Sequence, residues 1–146
     1  MGHVGLTPQT AATEGGFGIR GKDANSASRI YRQALSLQVA GSFSVVLECV
    51  PDILAQEITQ RLRIPTIGIG SGPACDGQVI VLYDLIGVYE RLKPKFAKRY
   101  ANVAQIIRDA TAAFIKDVQN GVFPGKSETT TMPAEEAKKL RQEINR

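Results

Sequence analysis

The 146-residue chain has no tryptophan, a single histidine, His3, and only two cysteines, Cys49 and Cys75. One histidine and two cysteines in no metal-ligand spacing cannot build a zinc centre. So few cysteines also make no disulfide framework. The expected setting is a reducing one: the cytoplasm, or the mitochondrion if the source is eukaryotic. No stretch approaches the unbroken apolar length of a membrane span, and no membrane partner is expected. The opening residues, MGHVGLTPQ, lack the basic segment and apolar core of a secretory signal. Internal repeats and low-complexity tracts are missing too. Charge of one sign is in small excess: 18 Lys and Arg stand against 14 Asp and Glu, a formal net charge of +4. Its densest source is LKPKFAKRY, with Lys93, Lys95, Lys98 and Arg99. No nucleic-acid-binding motif accompanies this run, so it reads as the solvated start of an amphipathic helix, with no nucleic-acid partner.

What is present is the composition of a globular protein, 43% apolar and 22% charged, at a length that suits one domain or part of a larger one. Ala27, Ile30, Ala34 and Leu37 recur at helical spacing, which predicts a helix over 25–40 ended by Gly41. Phe43 to Leu47 reads as a strand packed on both faces. Pro51 and Asp52 open a second helix, with Ile53, Leu54, Ile58 and Leu62 on one face. IPTIGIG, residues 64–70, reads as a second strand, and SGPACDG as a loop. QVIVLY, residues 78–83, is a third apolar run that ends at Asp84. A long helix follows, carrying Val103, Ile106, Ile107, Ala110, Phe114 and Val118, and Gly121 and Pro124 close it. The polar GKSETTTMP reads as a linker. Pro133, Glu135 and Glu136, then Lys138, Lys139 and Arg141, predict a short terminal helix with charges suited to its dipole. Domain organisation follows: residues 1–124 as the folded part, 125–146 as a polar tail.

Short apolar strands alternating with helices predict an α/β fold with a parallel sheet covered by helices. In such folds the working groups sit just past the C-terminal ends of the strands. Glu48, Asp84 and the GIGSG loop all fall there, and at Glu48 an apolar strand ends on a carboxylate that must be paired, solvated or used. From the residues alone it is either a structural acid, salt-bridged or capping the next helix, or a catalytic one. His3 is either a turn histidine or a ligand contact, and Gly2, Gly5 and Pro8 around it mark a constrained loop. Asp76 and Asp84 are mainly structural candidates, since aspartate caps helices and turns readily. The glycines of GIGSG suit an anion cradle or close packing at a strand end equally well. Cys49 and Cys75 read as small buried fillers. MGHVGLTPQ looks like the end of a strand and its following loop, with no strand before it.

MGHVGLTPQT, VVLECVP, IPTIGIGSGPACDGQVIVLYDLIG and PKFAKRY, in this order and spacing, resemble ketopantoate hydroxymethyltransferase over residues 1 to about 124. The usual alanine of that family's GIGAG stretch is Ser71 here. The resemblance implies a TIM (β/α)8 barrel of the phosphoenolpyruvate and isocitrate-lyase-like type, present here as its C-terminal half. It implies transfer of the one-carbon unit of 5,10-methylenetetrahydrofolate to 3-methyl-2-oxobutanoate, forming 2-dehydropantoate for pantothenate synthesis. Glu48 matches the family's proposed proton acceptor, and His3 a histidine that contacts the keto acid. A magnesium ion holds the keto acid and stabilises its enolate in that family, a division of labour with a nearby base. Its ligands, with a substrate-binding lysine and serine, belong to the first half of the barrel, so no residue here is assigned to the metal. The implied partners are the keto acid, the folate, and further protein: copies of the chain (the family is usually a decamer) or a complementary N-terminal half. Alone, the chain is expected to be inactive. A non-catalytic fragment, or assembly partner of a split barrel, is the alternative. Another keto-acid lyase of the same superfamily is a third reading, against which GHVGLTPQ and CDGQ argue.

Overall fold

The computed structural model describes residues 1–9, 11, 13, 16–91 and 94–145. The chain divides into two compact units, Met1–Asn102 and Val103–Arg146. The first holds a four-stranded sheet in the order β1 (Gly2–Gly5), β2 (Val45–Glu48), β3 (Thr66–Ile69), β4 (Gly77–Gln78), with every pairing parallel. Two helices serve as crossovers: α1 (Ala24–Val39) between β1 and β2, and α2 (Asp52–Arg61) between β2 and β3. This is the parallel α/β arrangement expected.

α1 begins where the Asp23 carboxylate accepts from the backbone N–H groups of Asn25 and Ser26, satisfying two donors that a helix start leaves open. It ends at Ala40, and Gly41, at φ +90°, carries the chain out. Ile30 and Ala34 of α1 and Leu54, Ala55 and Ile58 of α2 form one core with Val4, Val45, Leu47 and Val50. Ala27 and Leu37 pack at its margin, but Ile53 points outward and is exposed.

Four expectations need correction. The strand expected over Phe43 to Leu47 is β2, which starts at Val45, not at the exposed Phe43, and runs through Glu48. It is also covered on one face only: Val45 and Leu47 are fully buried beneath the helices, whereas Val46 and Glu48 are half-buried. The third apolar run is hardly a strand. Pairing stops at Gln78, the chain turns into the short helix α3 (Leu82–Leu85), and Val79, Val81, Leu82 and Tyr83 are exposed. Asp84 thus lies in the first turn of a helix, not at a strand end. The run sits at the sheet's edge, where among the described residues no further strand pairs with it, and apolar character alone does not make a ladder.

The basic run is not the start of a helix either. Lys93 lies outside the described residues, and Pro94 to Asn102 is a turn and extended chain. Ala97 is buried, Tyr100 N–H donates to the Leu85 carbonyl, and Phe96 lies against Gly70. These tertiary contacts hold the segment away from helical geometry, and the helix begins at Val103. In the second unit, α4 (Val103–Gln119) and α5 (Ala134–Ile144) form as expected, with Glu135 and Glu136 in the first turn of α5. The apolar stripe of α4 is largely open: Ile106, Ile107, Phe114 and Val118 are exposed, although Phe114 meets Phe123 edge-on at 5.3 Å between centroids. The polar composition begins near residue 124, later than the boundary between the compact units.

Asp76 binds α2, β3 and β4 together. Its Oδ2 accepts from Thr66 N–H at 2.8 Å and from Thr66 Oγ1 at 3.0 Å, and Thr66 Oγ1, fully buried, also meets Thr59 Oγ1 at 2.8 Å. The Thr66 N–H holds the carboxyl below its ordinary value of 3.8, against a smaller opposing effect of burial. A carboxyl so lowered stabilises the fold above that ordinary value, and the stability is lost as pH falls through the folded one. Asp76→Asn is therefore expected to lower stability at pH 7 by about 1 kcal/mol, a modest figure because the carboxylate is exposed and screened. The gap to the parent in thermal melts should narrow below pH 3.8. An equal gap at pH 7 and pH 3 would rule out a contribution from the charge.

Candidate active site

The register of the sheet decides which side chains share a face. Residues at spacing two along a strand point to the same side, and parallel partners point together. His3 pairs with Val46, which pairs in turn with Ile67, and Gly5 pairs with Glu48, which pairs in turn with Ile69. These half-buried positions form the face opposite the helix-covered core. His3 and Glu48 are diagonal neighbours on that face, Glu48 at the C-terminal end of β2.

The two side chains meet. His3 Nε2 lies 3.0 Å from Glu48 Oε2, with the side chains 32% and 18% exposed. The contact is an ion pair only when the ring is protonated. Its direction is poor for a hydrogen bond, which leaves the buried Nε2 without a hydrogen-bond partner among the described residues. An unmatched polar atom next to a carboxylate is the arrangement expected where a ligand completes the bonding. The two residues singled out from sequence, 45 positions apart, are thus brought together.

The backbone beneath Glu48 is held at almost every polar group. Glu48 C=O accepts from Leu6 N–H at 2.8 Å, Cys49 N–H donates to Ile69 C=O at 2.9 Å, and Cys49 C=O accepts from Arg20 N–H at 2.8 Å. Cys49 has φ +50°, a left-handed conformation that costs a residue with a side chain about 1–2 kcal/mol. It persists because these bonds over-determine the turn. Cys49 is buried with Leu6 and Ala11 in a small cluster beyond the strand ends, and burial pushes its thiol up, with Glu48 adding to the effect. It is a filler, as is Cys75, also raised by burial.

Two glycines let the site close. Gly5, at φ +92°, lies so near Glu48 that an added Cβ would sit 2.2 Å from the Glu48 carbonyl oxygen. Gly70, at φ +66°, lies 2.7 Å, measured from such a Cβ, from the Phe96 ring. Close packing therefore accounts for the glycine at the end of β3. A groove of about 1110 Å³ runs beside β1 and α1, with His3, Gly5, Thr7 and Arg20 in its wall, and Glu48 does not line it. Asp76 and Asp84 are not part of the His3–Glu48 pair.

The sequence model for the ketopantoate hydroxymethyltransferase family matches residues 1–126. The chain belongs to that family. A relative from Heliobacterium modesticaldum, named 3-methyl-2-oxobutanoate hydroxymethyltransferase, is 52% identical over 92% of this chain and 49% of its own length. Relatives of the same name from Nitratidesulfovibrio vulgaris and Syntrophus aciditrophicus are 52% and 55% identical, over 88% and 85% of this chain and 42% and 46% of theirs. The chain spans about half the length of the curated relatives it matches.

Among the described residues no three His, Cys, Asp or Glu side chains converge as a metal site would require. His3 and Glu48 fall short of the oxygen-rich set that magnesium takes. These residues do not by themselves fit that ion, and what they offer is proton transfer and hydrogen bonding. Sequence reasoning missed how the turn after Glu48 is secured. The left-handed Cys49 and the reach of Arg20 and Leu6 to its neighbours have no local signature, because their partners come from distant strands and loops.

Gly5→Ala tests the closeness of β1 to Glu48. It should cost about 2–4 kcal/mol in denaturant melts, from the strained φ and the clash with backbone. Unchanged stability would mean that this approach is not kept in solution.

Proposed function

We propose that the chain is the base-bearing part of a 3-methyl-2-oxobutanoate hydroxymethyltransferase. Its complete assembly would transfer the one-carbon unit of 5,10-methylenetetrahydrofolate to the keto acid and form 2-dehydropantoate in pantothenate synthesis. In this reading water frees the one-carbon unit from both folate nitrogens at the formaldehyde level, leaving tetrahydrofolate. Glu48 takes the proton from C3 of the keto acid, the carbanion so formed adds to that carbon, and the resulting alkoxide is protonated. His3 holds the keto acid through a ring nitrogen. The observation that carries the reading is the His3–Glu48 pair at 3.0 Å, on the uncovered face of a parallel sheet. A carboxylate at the end of a strand, beside a ring nitrogen with no other partner, suits removal of an acidic C–H next to a carbonyl.

The finer architecture belongs to the same proposal: a TIM barrel of which residues 1–124 form the C-terminal half. The parallel sheet with crossover helices supports it, as does the groove beside β1, an edge strand among the described residues. Unpaired strand edges invite pairing with another chain. A complementary N-terminal half is the partner that would supply the magnesium ligands. The exposed apolar stripe of α4 supports association into a homo-oligomer as well. Free thiols at Cys49 and Cys75 suit a reducing compartment such as the cytoplasm.

The deciding experiment is deuterium exchange at C3 of the keto acid, in the complete enzyme or in this chain reconstituted with the first half of a relative. Glu48→Gln is expected to slow exchange about 10²- to 10⁴-fold while the keto acid still binds. Exchange at the parent rate would remove Glu48 from the base role. His3→Ala should weaken keto-acid binding by about 1.5–3 kcal/mol, the worth of a hydrogen bond to a charged ligand, and slow a bound turnover less. An unchanged dissociation constant would return His3 to a turn residue.

A further inference from the structure

Ser71 follows β3 and is 1% exposed, and its hydroxyl reaches across to the neighbouring strand. Oγ donates to the Leu47 carbonyl at 2.7 Å and accepts a longer bond, 3.5 Å, from Val50 N–H. Leu47 and Val50 are the residues on either side of Glu48 and Cys49. One hydroxyl therefore bridges the two ends of the turn that carries the carboxylate, and that turn contains the left-handed Cys49. The other bonds in this turn, from Leu6, Arg20 and Ile69, secure Glu48 and Cys49 themselves. Ser71 alone among these partners ties the residue before to the residue after. The hydroxyl is both donor and acceptor across the turn, and its proton has a second, longer acceptor in the Ile69 carbonyl at 3.4 Å, so the short bond to Leu47 is the one that sets its direction.

We propose that Ser71 is the positioning residue for Glu48: it clasps the turn and so fixes where the carboxylate points. The inference rests on the reading of Glu48 as the base. An alanine methyl can make neither bond, so alanine at this place would leave the Leu47 carbonyl and the Val50 N–H without Ser71 while changing little volume.

The test is Ser71→Ala, in the complete enzyme or in the chain reconstituted with a first half. Three quantities are read: the rate of C3 deuterium exchange, the keto-acid dissociation constant and the melting temperature. Ser44→Ala is the control. Ser44 is also buried and immediately precedes β2, at the end opposite to Glu48, but its Oγ has no hydrogen-bond partner among the described residues. The expected result for Ser71→Ala is exchange slowed about five- to tenfold, the effect of a lost hydrogen bond expressed in the placement of the base. Keto-acid binding should change less than about twofold, and Ser44→Ala should exchange at the parent rate. Ser71→Cys, which fills the same space with a weaker hydrogen-bonding group, should fall between parent and alanine. Exchange unaltered in Ser71→Ala, or lowered equally in Ser44→Ala, would overturn the positioning role. A parent enzyme that exchanges no deuterium at all would instead remove the reading of Glu48, and the clasp with it.

Discussion

The parallel register of β1, β2 and β3 is the constraint on which the rest of the structure depends. With Gly2, Val45 and Thr66 aligned, every second residue of three strands turns to the helices, and the residues between them turn to the open face. A shift of one residue in β2 would bury Glu48 among Ile30, Ala34 and Leu54 and expose Leu47. The apolar surface of Val45 and Leu47 opposes that shift, as does the cost of an unpaired carboxylate in a core. The same residues that stabilise the sheet therefore also aim the carboxylate.

Beyond the strand ends the logic changes from burial to hydrogen bonding. The turn at Glu48–Val50 is short and contains a left-handed residue, and burial of Cys49 and Val50 does not by itself fix its backbone. It is kept in place by donors and acceptors from the loop after β1, the segment before α1 and the loop after β3. Strain at a functional turn survives when its surroundings leave it no alternative. The folded unit supplies that by bringing four segments of chain to one place, which also explains why Gly5 must lack a side chain.

The opposite end of the sheet is secured differently. Thr59, Thr66 and Asp76 form a compact polar knot at the start of β3, where Thr66 is on the helix-covered face, opposite to that of His3 and Glu48. The acid that ties the fold together and the acid proposed as the base are thereby separated. Asp76 is drawn below its ordinary value by hydrogen bonds to its own fold, whereas Glu48 faces a ring nitrogen on the uncovered side.

Periodicity with its end signals was enough for α1, α2 and α4, because a helix announces its apolar face every three or four residues, and α5 was legible from Pro133 and the charges after it. The parallel sheet followed from short apolar runs alternating with those helices, and the motifs around His3 and Glu48 carried the family. Where an apolar run had no partner to pair with, as in 79–83, sequence suggested a strand that the fold does not make. Likewise the basic run before Val103 looked helical until its contacts with Gly70 and Leu85 were seen. Which face of β2 is covered, the 3.0 Å meeting of His3 with Glu48 and the bridge from Ser71 to Leu47 were decided only by tertiary structure. Each depends on residues far apart in the chain, and hydrogen-bond geometry between distant segments leaves no pattern in the order of amino acids.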